Sequence, residues 1–187
     1  MSKIEKGEKE QIVIGKEIFV PYLEEEKIQK RVQEMGEEIS NDYKGKTPVF
    51  IGVLNGAFIF LTDLIKNITT DCEIDFFKLS SYGDAKISSG KVTMLKELNC
   101  DVKGRDIIIV EDIVDSGLSI KFIEDLMQQY KPASMKVASL LVKPDSLRYN
   151  VKIHYIGFNI PSKFVIGYGL DYAQKYRNLR TIYTLSE

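Results

Sequence analysis

The chain has 187 residues, enough for one domain with a single core, and its 44% hydrophobic and 28% charged content is that of an ordinary soluble globular protein. With 26 Lys and Arg against 27 Asp and Glu, the formal net charge of −1 argues against nucleic acid or a membrane as a partner recruited by bulk charge. No apolar run approaches the roughly 18 residues needed to span a bilayer, and the start, MSKIEKG, lacks a signal-peptide apolar region. Cys72 and Cys100 stand apart, without CxxC spacing or clustered His, which argues against a zinc site or a disulfide scaffold. The chain reads as cytoplasmic.

In chain order, the charged residues 1–10 read as a disordered lead-in. Leu23, Ile28, Val32, Met35 and Ile39 mark the apolar face of a helix over Pro21 to Asp42. Pro48 to Leu54 is a buried strand, Asn55 and Gly56 a tight turn, and Ala57 to Ile68 a helix. Glu73 to Leu79 is a strand whose alternation slips at Phe76 and Phe77, the mark of a bulge. Residues 80–90, rich in Ser and Gly, predict a mobile loop, with a short strand from Lys91 to Leu98 after it. Ile107 to Val110 is β-branched and continuously apolar, as in a strand buried on both faces of a parallel sheet. Leu118, Ile120, Ile123, Met127 and Tyr130 then recur at helical spacing until Lys131 and Pro132 end the helix. Val137 to Val142 and Val151 to Phe158 are two further strands. This alternation predicts an α/β fold with an open, mostly parallel, doubly wound sheet flanked by helices, whose ligands gather at the carboxyl ends of the strands.

The unit around Ile107 carries the chemistry. Glu111 and Asp112 stand at the carboxyl end of the strand, and Asp115, Ser116 and Gly117 form a small-residue turn that feeds a helix N-terminus. There, unpaired amides and the positive end of the helix dipole favour an anion, and Gly117 permits close backbone approach. Ser116 and Ser119 add hydroxyl donors, which makes the turn a cradle for a phosphate monoester. An acidic pair beside an anion becomes intelligible if a cation lies between them. Mg²⁺ is held by one or two carboxylates plus substrate oxygens, and Glu111 with Asp112 could supply that partial shell. Because the two alternate across the strand, one could instead act through water or ribose hydroxyls.

The segment VEDIVDSGLS (110–119) resembles the phosphoribosyl-diphosphate motif of type I phosphoribosyltransferases, in the form used by the hypoxanthine-guanine enzymes. The resemblance continues, in the family's order and near its spacing, at VLNGAF (53–58), SSYG (80–83), LVK (141–143), GFNIP (157–161) and KFVIGYGLDY (163–172), and covers roughly residue 10 to the end. It implies a single phosphoribosyltransferase domain over 1–187, with a small hood near the termini to which residues 158–178 contribute. The implied reaction is transfer of a 5-phosphoribosyl group from 5-phosphoribosyl 1-diphosphate to N9 of hypoxanthine or guanine, giving IMP or GMP and pyrophosphate, with Mg²⁺. The implied assembly is a homodimer or homotetramer.

Matched position by position, Glu111, Asp112, Asp115, Ser116, Gly117, Leu118 and Ser119 would hold the phosphoribosyl diphosphate, and Asp115 would accept the proton from purine N7. From the local sequence alone Asp115 fits a helix N-cap equally well. Lys143 would donate to the purine 6-oxo group, which an ammonium suits because it cannot accept from the amino group of adenine; a solvated lysine at a strand end is the plainer alternative. Phe164 would stack on the base and Val165 would act through its backbone, although a core Phe in a strand is as ordinary a reading. Asp171 matches the position closing the base and metal region, so that Glu111, Asp112 and Asp171 form the implied metal set. Asn55 and Gly56 match the diphosphate loop, and Arg177 matches a diphosphate contact that a guanidinium fork serves well. Ser81 and Tyr82 match the lid that covers the site.

Two positions depart from the family pattern: Asn55 stands where many relatives have Lys, and Leu118 where some have a polar or basic residue. Tyr168, Tyr172 and Tyr176 read as a core or subunit-contact stripe, and His154 as a structural residue inside a strand. Two rival readings differ in what they require. A transferase for another base, such as xanthine, would share the phosphate turn with a different base pocket. A regulator of this fold that binds RNA would need a basic face. No GxGxxG follows a strand and no GxxxxGK[ST] occurs.

Overall fold

The computed structural model describes residues 4–5, 11–81, 92–96 and 98–186. Its larger layer is a six-stranded sheet built from β4 (Val49–Leu54), β5 (Glu73–Ser81), β6 (Val92–Lys96), β7 (Asp106–Val114), β8 (Ser134–Val142) and β9 (Tyr155–Asn159). The order is β6-β5-β4-β7-β8-β9, and every neighbouring pair is parallel except β5 with β6.

The continuous apolar runs have a direct cause. Along β7, Ile108 and Val110 join a core that includes Ile28, Val32, Met35 and Ile39 of helix α1 (Glu25–Asp42) and Phe60 and Leu64 of helix α2 (Phe58–Lys66). Ile107 and Ile109 point the other way, into a core completed by Ile120, Ile123 and Met127 of helix α3 (Leu118–Tyr130). The sheet is therefore covered on both faces, which is what a parallel sheet with helical crossovers demands.

The hood forms a second layer. It is an antiparallel sheet of β1 (Ile4–Glu5), β2 (Gln11–Ile14), β3 (Glu17–Leu23), β10 (Val165–Ile166) and β11 (Ile182–Leu185), in the order β1-β2-β3-β11-β10. Both ends of the chain thus meet in one sheet, with Ile12, Phe19, Ile166 and Tyr183 as its own core.

Several boundaries differ from the sequence reading. Pro21 and Leu23 lie on β3, so the first helix starts at Glu25; the missing amide of Pro21 coincides with a register shift opposite Ile182 and Tyr183. Glu25 and Glu26 in the first turn of α1 complement its dipole. β7 extends past Val110 to Val114, because pairing with β8 continues through Glu111, Ile113 and Val114. The last parallel strand is Tyr155–Asn159, which puts His154 ahead of it. There the His154 backbone N–H donates to the carbonyl of Val137 and Nδ1 accepts from the Val137 amide, a structural role. The irregularity of β5 falls between Lys78 and Leu79, opposite β6. The three tyrosines serve two different cores: Tyr168 is buried in the main core while Tyr172 and Tyr176 pack against the hood core. Of the expected lead-in, Ile4–Glu5 form β1, and the rest lies outside the described residues, as does the expected loop from Tyr82 to Gly90.

Ile109, fully buried in the middle of β7, tests the two-sided core. Ile109→Ala is expected to lower unfolding stability by about 2–5 kcal/mol, the loss of transfer free energy plus a residual cavity, measured by urea denaturation with an unchanged dependence on denaturant.

Candidate functional site

The topology sets where a ligand sits. From β4 the chain moves outward to β5 and β6 on one side, and from β7 to β8 and β9 on the other. The crossovers diverge between β4 and β7 and leave a crevice beyond their carboxyl ends. Leu54, Gly56, Leu79, Glu111, Asp112 and Ser119 line a depression there. The backbone from Ile113 to Ile120 lines a neighbouring one, which shares Glu111 and Ser119.

The turn after β7 feeds the N-terminus of α3 as expected, with one correction: the N-cap of α3 is Gly117, at φ 83°, and Asp115 makes no cap. Ser116 Oγ accepts from the Leu118 amide at 3.3 Å, and the Ser116 carbonyl accepts from the amides of Arg148 and Tyr149 at 3.0 and 3.3 Å. A Cβ on Gly117 would approach Val151 Cγ2 to 3.0 Å. The loop from Leu147 to Val151 thus clamps the turn from outside, while the first-turn amides of α3 remain without intrahelical acceptors. That brace escaped the sequence reading, since nothing in a polar connecting loop marks its amides as donors to a distant carbonyl.

At the mouth of the cradle, Lys143 Nζ lies 2.8 Å from Asp115 Oδ2. The Lys143 amide donates to the Val114 carbonyl at 2.9 Å, so the ends of β8 and β7 are tied and the two side chains share one corner. The lysine side chain is only 12% exposed and the aspartate 55%, so the carboxylate faces the opening. Both predicted base-facing groups are brought together.

The turn after β4 contains a cis peptide between Leu54 and Asn55. Asn55 is exposed. Gly56 is required by packing: a Cβ there would fall 1.7 Å from Asp112 Oδ2. From the hood, Gly169, at φ 100°, comes so close that a Cβ on it would lie 2.1 Å from the Gly56 carbonyl oxygen. Arg177 donates to the Gly169 carbonyl at 2.7 Å and pairs with Asp171 Oδ1 at 2.7 Å, and Asp171 Oδ2 accepts from the Gln174 amide at 2.8 Å. The hood therefore delivers Arg177 and Asp171 beside the crevice. The Gly-Tyr-Gly spacing of 167–169 was the available signal for a backbone in left-handed conformations.

Phe164 is 51% exposed at the hood edge, its ring set edge-to-face with Phe19 and Tyr172 at centroid separations of 6.2 and 5.9 Å. Val165 beside it is buried in β10. Of the lid candidates, Ser81 ends β5 and Tyr82 lies outside the described residues.

The acidic pair is only partly compensated. Glu111 is buried, and among the described residues its Oε2 has no hydrogen-bond partner. Burial, reinforced by the neighbouring Asp112 charge, holds its carboxyl well above the usual range. Burial likewise pushes Asp112 up to about 6, although the Ile113 amide and the Arg177 charge pull it down. One buried carboxylate with an orphaned oxygen and one half-buried carboxylate beside it form an all-oxygen half-shell that fits a hard divalent cation sharing oxygens with its ligand. No cluster of three metal-binding side chains occurs among the described residues. Asp171 in particular is turned into Arg177 and the Gln174 amide.

Residues 21–173 match the model of the Phosphoribosyl transferase domain. The chain is 48% identical over 157 residues to the hypoxanthine-guanine phosphoribosyltransferase of Bacillus subtilis (strain 168), which covers 84% of this chain and 87% of that one. It is 46% identical over 169 residues to the enzyme of the same name from Mycobacterium tuberculosis (strain ATCC 25618 / H37Rv), covering 87% of this chain and 84% of that one. Its fold matches a crystal structure of a hypoxanthine-guanine phosphoribosyltransferase from Bacillus anthracis with a TM-score of 0.84 at 41% identity, over 89% of this chain and 98% of that one. A hypoxanthine phosphoribosyltransferase from Staphylococcus aureus gives 0.85 at 41% identity, over 89% and 90%.

Gly56→Ala drives a methyl group into the Asp112 carboxylate. It is expected to cost about 1–3 kcal/mol through overpacking, measured by thermal unfolding, and to weaken binding of phosphoribosyl diphosphate in calorimetry, because Asp112 or the turn must move.

Proposed function

The chain belongs to the phosphoribosyl transferase family, and from that premise we propose that it moves the 5-phosphoribosyl group of 5-phosphoribosyl 1-diphosphate onto N9 of hypoxanthine or guanine. The products are IMP or GMP and pyrophosphate, a purine-salvage reaction. The observation that carries the choice of base is the pair of Lys143 and Asp115 at 2.8 Å beside the phosphate cradle. A 6-oxopurine presents an acceptor, its 6-oxo oxygen, next to a donor, N7–H. A fixed ammonium next to a fixed carboxylate is the complementary couple, and the 6-amino group of adenine would leave the ammonium facing a donor.

The rest of the site then has defined tasks. The turn from Asp115 to Ser119 receives the 5′-phosphate on backbone amides and the hydroxyls of Ser116 and Ser119. Asn55 and Gly56 offer the amides of their turn to the diphosphate, and Arg177 meets its charge with a guanidinium already oriented by Gly169 and Asp171. The exposed ring of Phe164 stacks on the purine, a contact worth about 1–3 kcal/mol by analogy with other base stacking, with Val165 behind it. Glu111 and Asp112 would hold Mg²⁺, which when bound neutralises charge on the departing diphosphate; Asp171 borders that region through Arg177. As purine N9 bonds to the ribose carbon, the bond from that carbon to the diphosphate breaks and its electron pair leaves with pyrophosphate. Asp115 Oδ2 takes the proton from N7.

The same reading includes a homodimer or homotetramer working in the cytoplasm. Among the described residues no helix is long and apolar enough to cross a membrane.

Asp115→Asn keeps the shape and removes the proton acceptor. It is expected to lower kcat by about 10² to 10⁴ while GMP binding, followed by calorimetry, stays close to wild type; undiminished turnover would overturn the role. Steady-state rates with hypoxanthine, guanine, xanthine and adenine, each with and without Mg²⁺, test the function itself. Turnover with the first two, dependent on the cation, is the expected pattern, and salt-sensitive RNA binding without pyrophosphate release would refute it.

A further inference from the structure

One polar cluster between the helices and the hood has no part in the chemistry above. Asp63, on the side of α2 away from the crevice mouth, is largely covered, with a side chain 20% exposed. Its Oδ2 accepts from the hydroxyl of Tyr168 at 2.7 Å and from Gln29 Nε2 of α1 at 2.8 Å, and its Oδ1 pairs with Lys66 at 3.1 Å. Lys66 is two-thirds exposed, so that pair is worth little. The buried phenol is different: a neutral hydroxyl donating to a carboxylate is among the stronger hydrogen bonds a protein makes.

Its position gives the bond a consequence. Tyr168 is held at φ 51°, between Gly167 at 98° and Gly169 at 100°, three successive residues in conformations that L side chains rarely adopt. The Tyr168 amide donates to the Leu179 carbonyl and the Gly169 amide to the Arg177 carbonyl, so these residues and the Arg177 loop form one piece. Gly169 is the residue against the Gly56 carbonyl, and its own carbonyl orients Arg177. At the other end, α2 is the helix that grows directly out of the Asn55 and Gly56 turn, with Ala57 donating to the Val53 carbonyl. Both halves of the diphosphate site, the turn after β4 and the Arg177 loop, are thus fastened to each other through α2, and the fastener is the bond from Tyr168 to Asp63.

We propose that Asp63 and Tyr168 are positioning residues for diphosphate recognition: their hydrogen bond sets the hood on α2 so that Gly169 abuts Gly56 and Arg177 faces the crevice. The proposal rests on the functional reading given above and deepens it. Neither residue touches substrate. The effect falls chiefly on the phosphoribosyl donor, since the purine keeps its contacts with Lys143 and Asp115 at the ends of β8 and β7, outside this linkage.

The test is the split between the two substrates. Tyr168→Phe removes one oxygen and keeps the ring in its core. It is expected to raise KM for phosphoribosyl diphosphate by about ten- to a hundredfold, the size of effect that misplacement of a binding group produces, and to weaken pyrophosphate binding in calorimetry to match, with a much smaller change in KM for guanine. Asp63→Asn retains an acceptor for the phenol and should fall between wild type and Asp63→Ala. Should Tyr168→Phe not fold, these two variants give the same split. A purely structural role would lower the melting temperature and leave both KM values alone well below it, and that result overturns the proposal. A wild-type chain without turnover on guanine overturns the functional reading instead, so the two failures are distinct.

Discussion

A strand buried on both faces has to end somewhere, and in this fold β7 ends in acid. Pairing with β8 continues through Glu111 to Val114, so Glu111 is carried into a position that is sealed on the sheet side and leaves one carboxylate oxygen without a partner. A buried charge of that kind is unfavourable unless it is paired or neutralised. It persists here because β7 is fixed by two cores at once, with Ile108 and Val110 in one and Ile107 and Ile109 in the other. The strand cannot slide by a residue to expose the carboxylate without exchanging its two apolar faces. The energy held in the acidic pair is available to whatever cation and sugar hydroxyls complete it.

Placement of the remaining groups follows from the switch in sheet order. The crossovers after β4 and β7 leave in opposite directions, which opens the crevice between them. The turn after β4 cannot move away, since Gly56 is packed on Asp112 from one side and under Gly169 from the other. The turn after β7 is clamped by the amides of Arg148 and Tyr149. Both turns are therefore set before any ligand arrives, and preorganised amides need little rearrangement when charge develops near them.

The sequence made the large sheet legible because each of its strands answers to a local rule. Ile107 to Val110 is an unbroken β-branched run, and only burial on both faces asks for that pattern. The turn from Asp115 to Ser119 was equally visible, because small residues, hydroxyls and a helix start coincide there. The hood was less visible. Glu17–Leu23 pairs with Ile182–Leu185, far away in the chain, and no periodicity in seven residues announces a partner at the opposite end. The apolar Leu23 could be fitted to either the strand or the helix, and the antiparallel partner decided it. Glu111 and Asp112 were placed at the carboxyl end of the strand, and the ladder to β8 carries the strand through them to Val114. The ion pair of Lys143 with Asp115 joins residues 28 apart and depends on β7 and β8 ending level, which register alone fixes.

The hood has a small core of its own on one face, while Leu23, Val165 and Ile182 on the other face join the main core with α1 and α2, and a two-layer protein of this kind must align its layers by contacts that are specific as well as apolar. Apolar packing tolerates small displacements, because area changes little when surfaces slide. Hydrogen bonds do not tolerate them, since their strength falls steeply with distance and angle. Between α2 and the hood, the bond of Tyr168 to Asp63 supplies that directional element. On the crevice side, the near-contact of Gly169 with the Gly56 carbonyl supplies a steric stop. One contact pulls and the other limits, so the position of Arg177 is bounded from both directions. A guanidinium that must meet a diphosphate in a fork geometry needs that degree of definition, and neither core could provide it by burial alone.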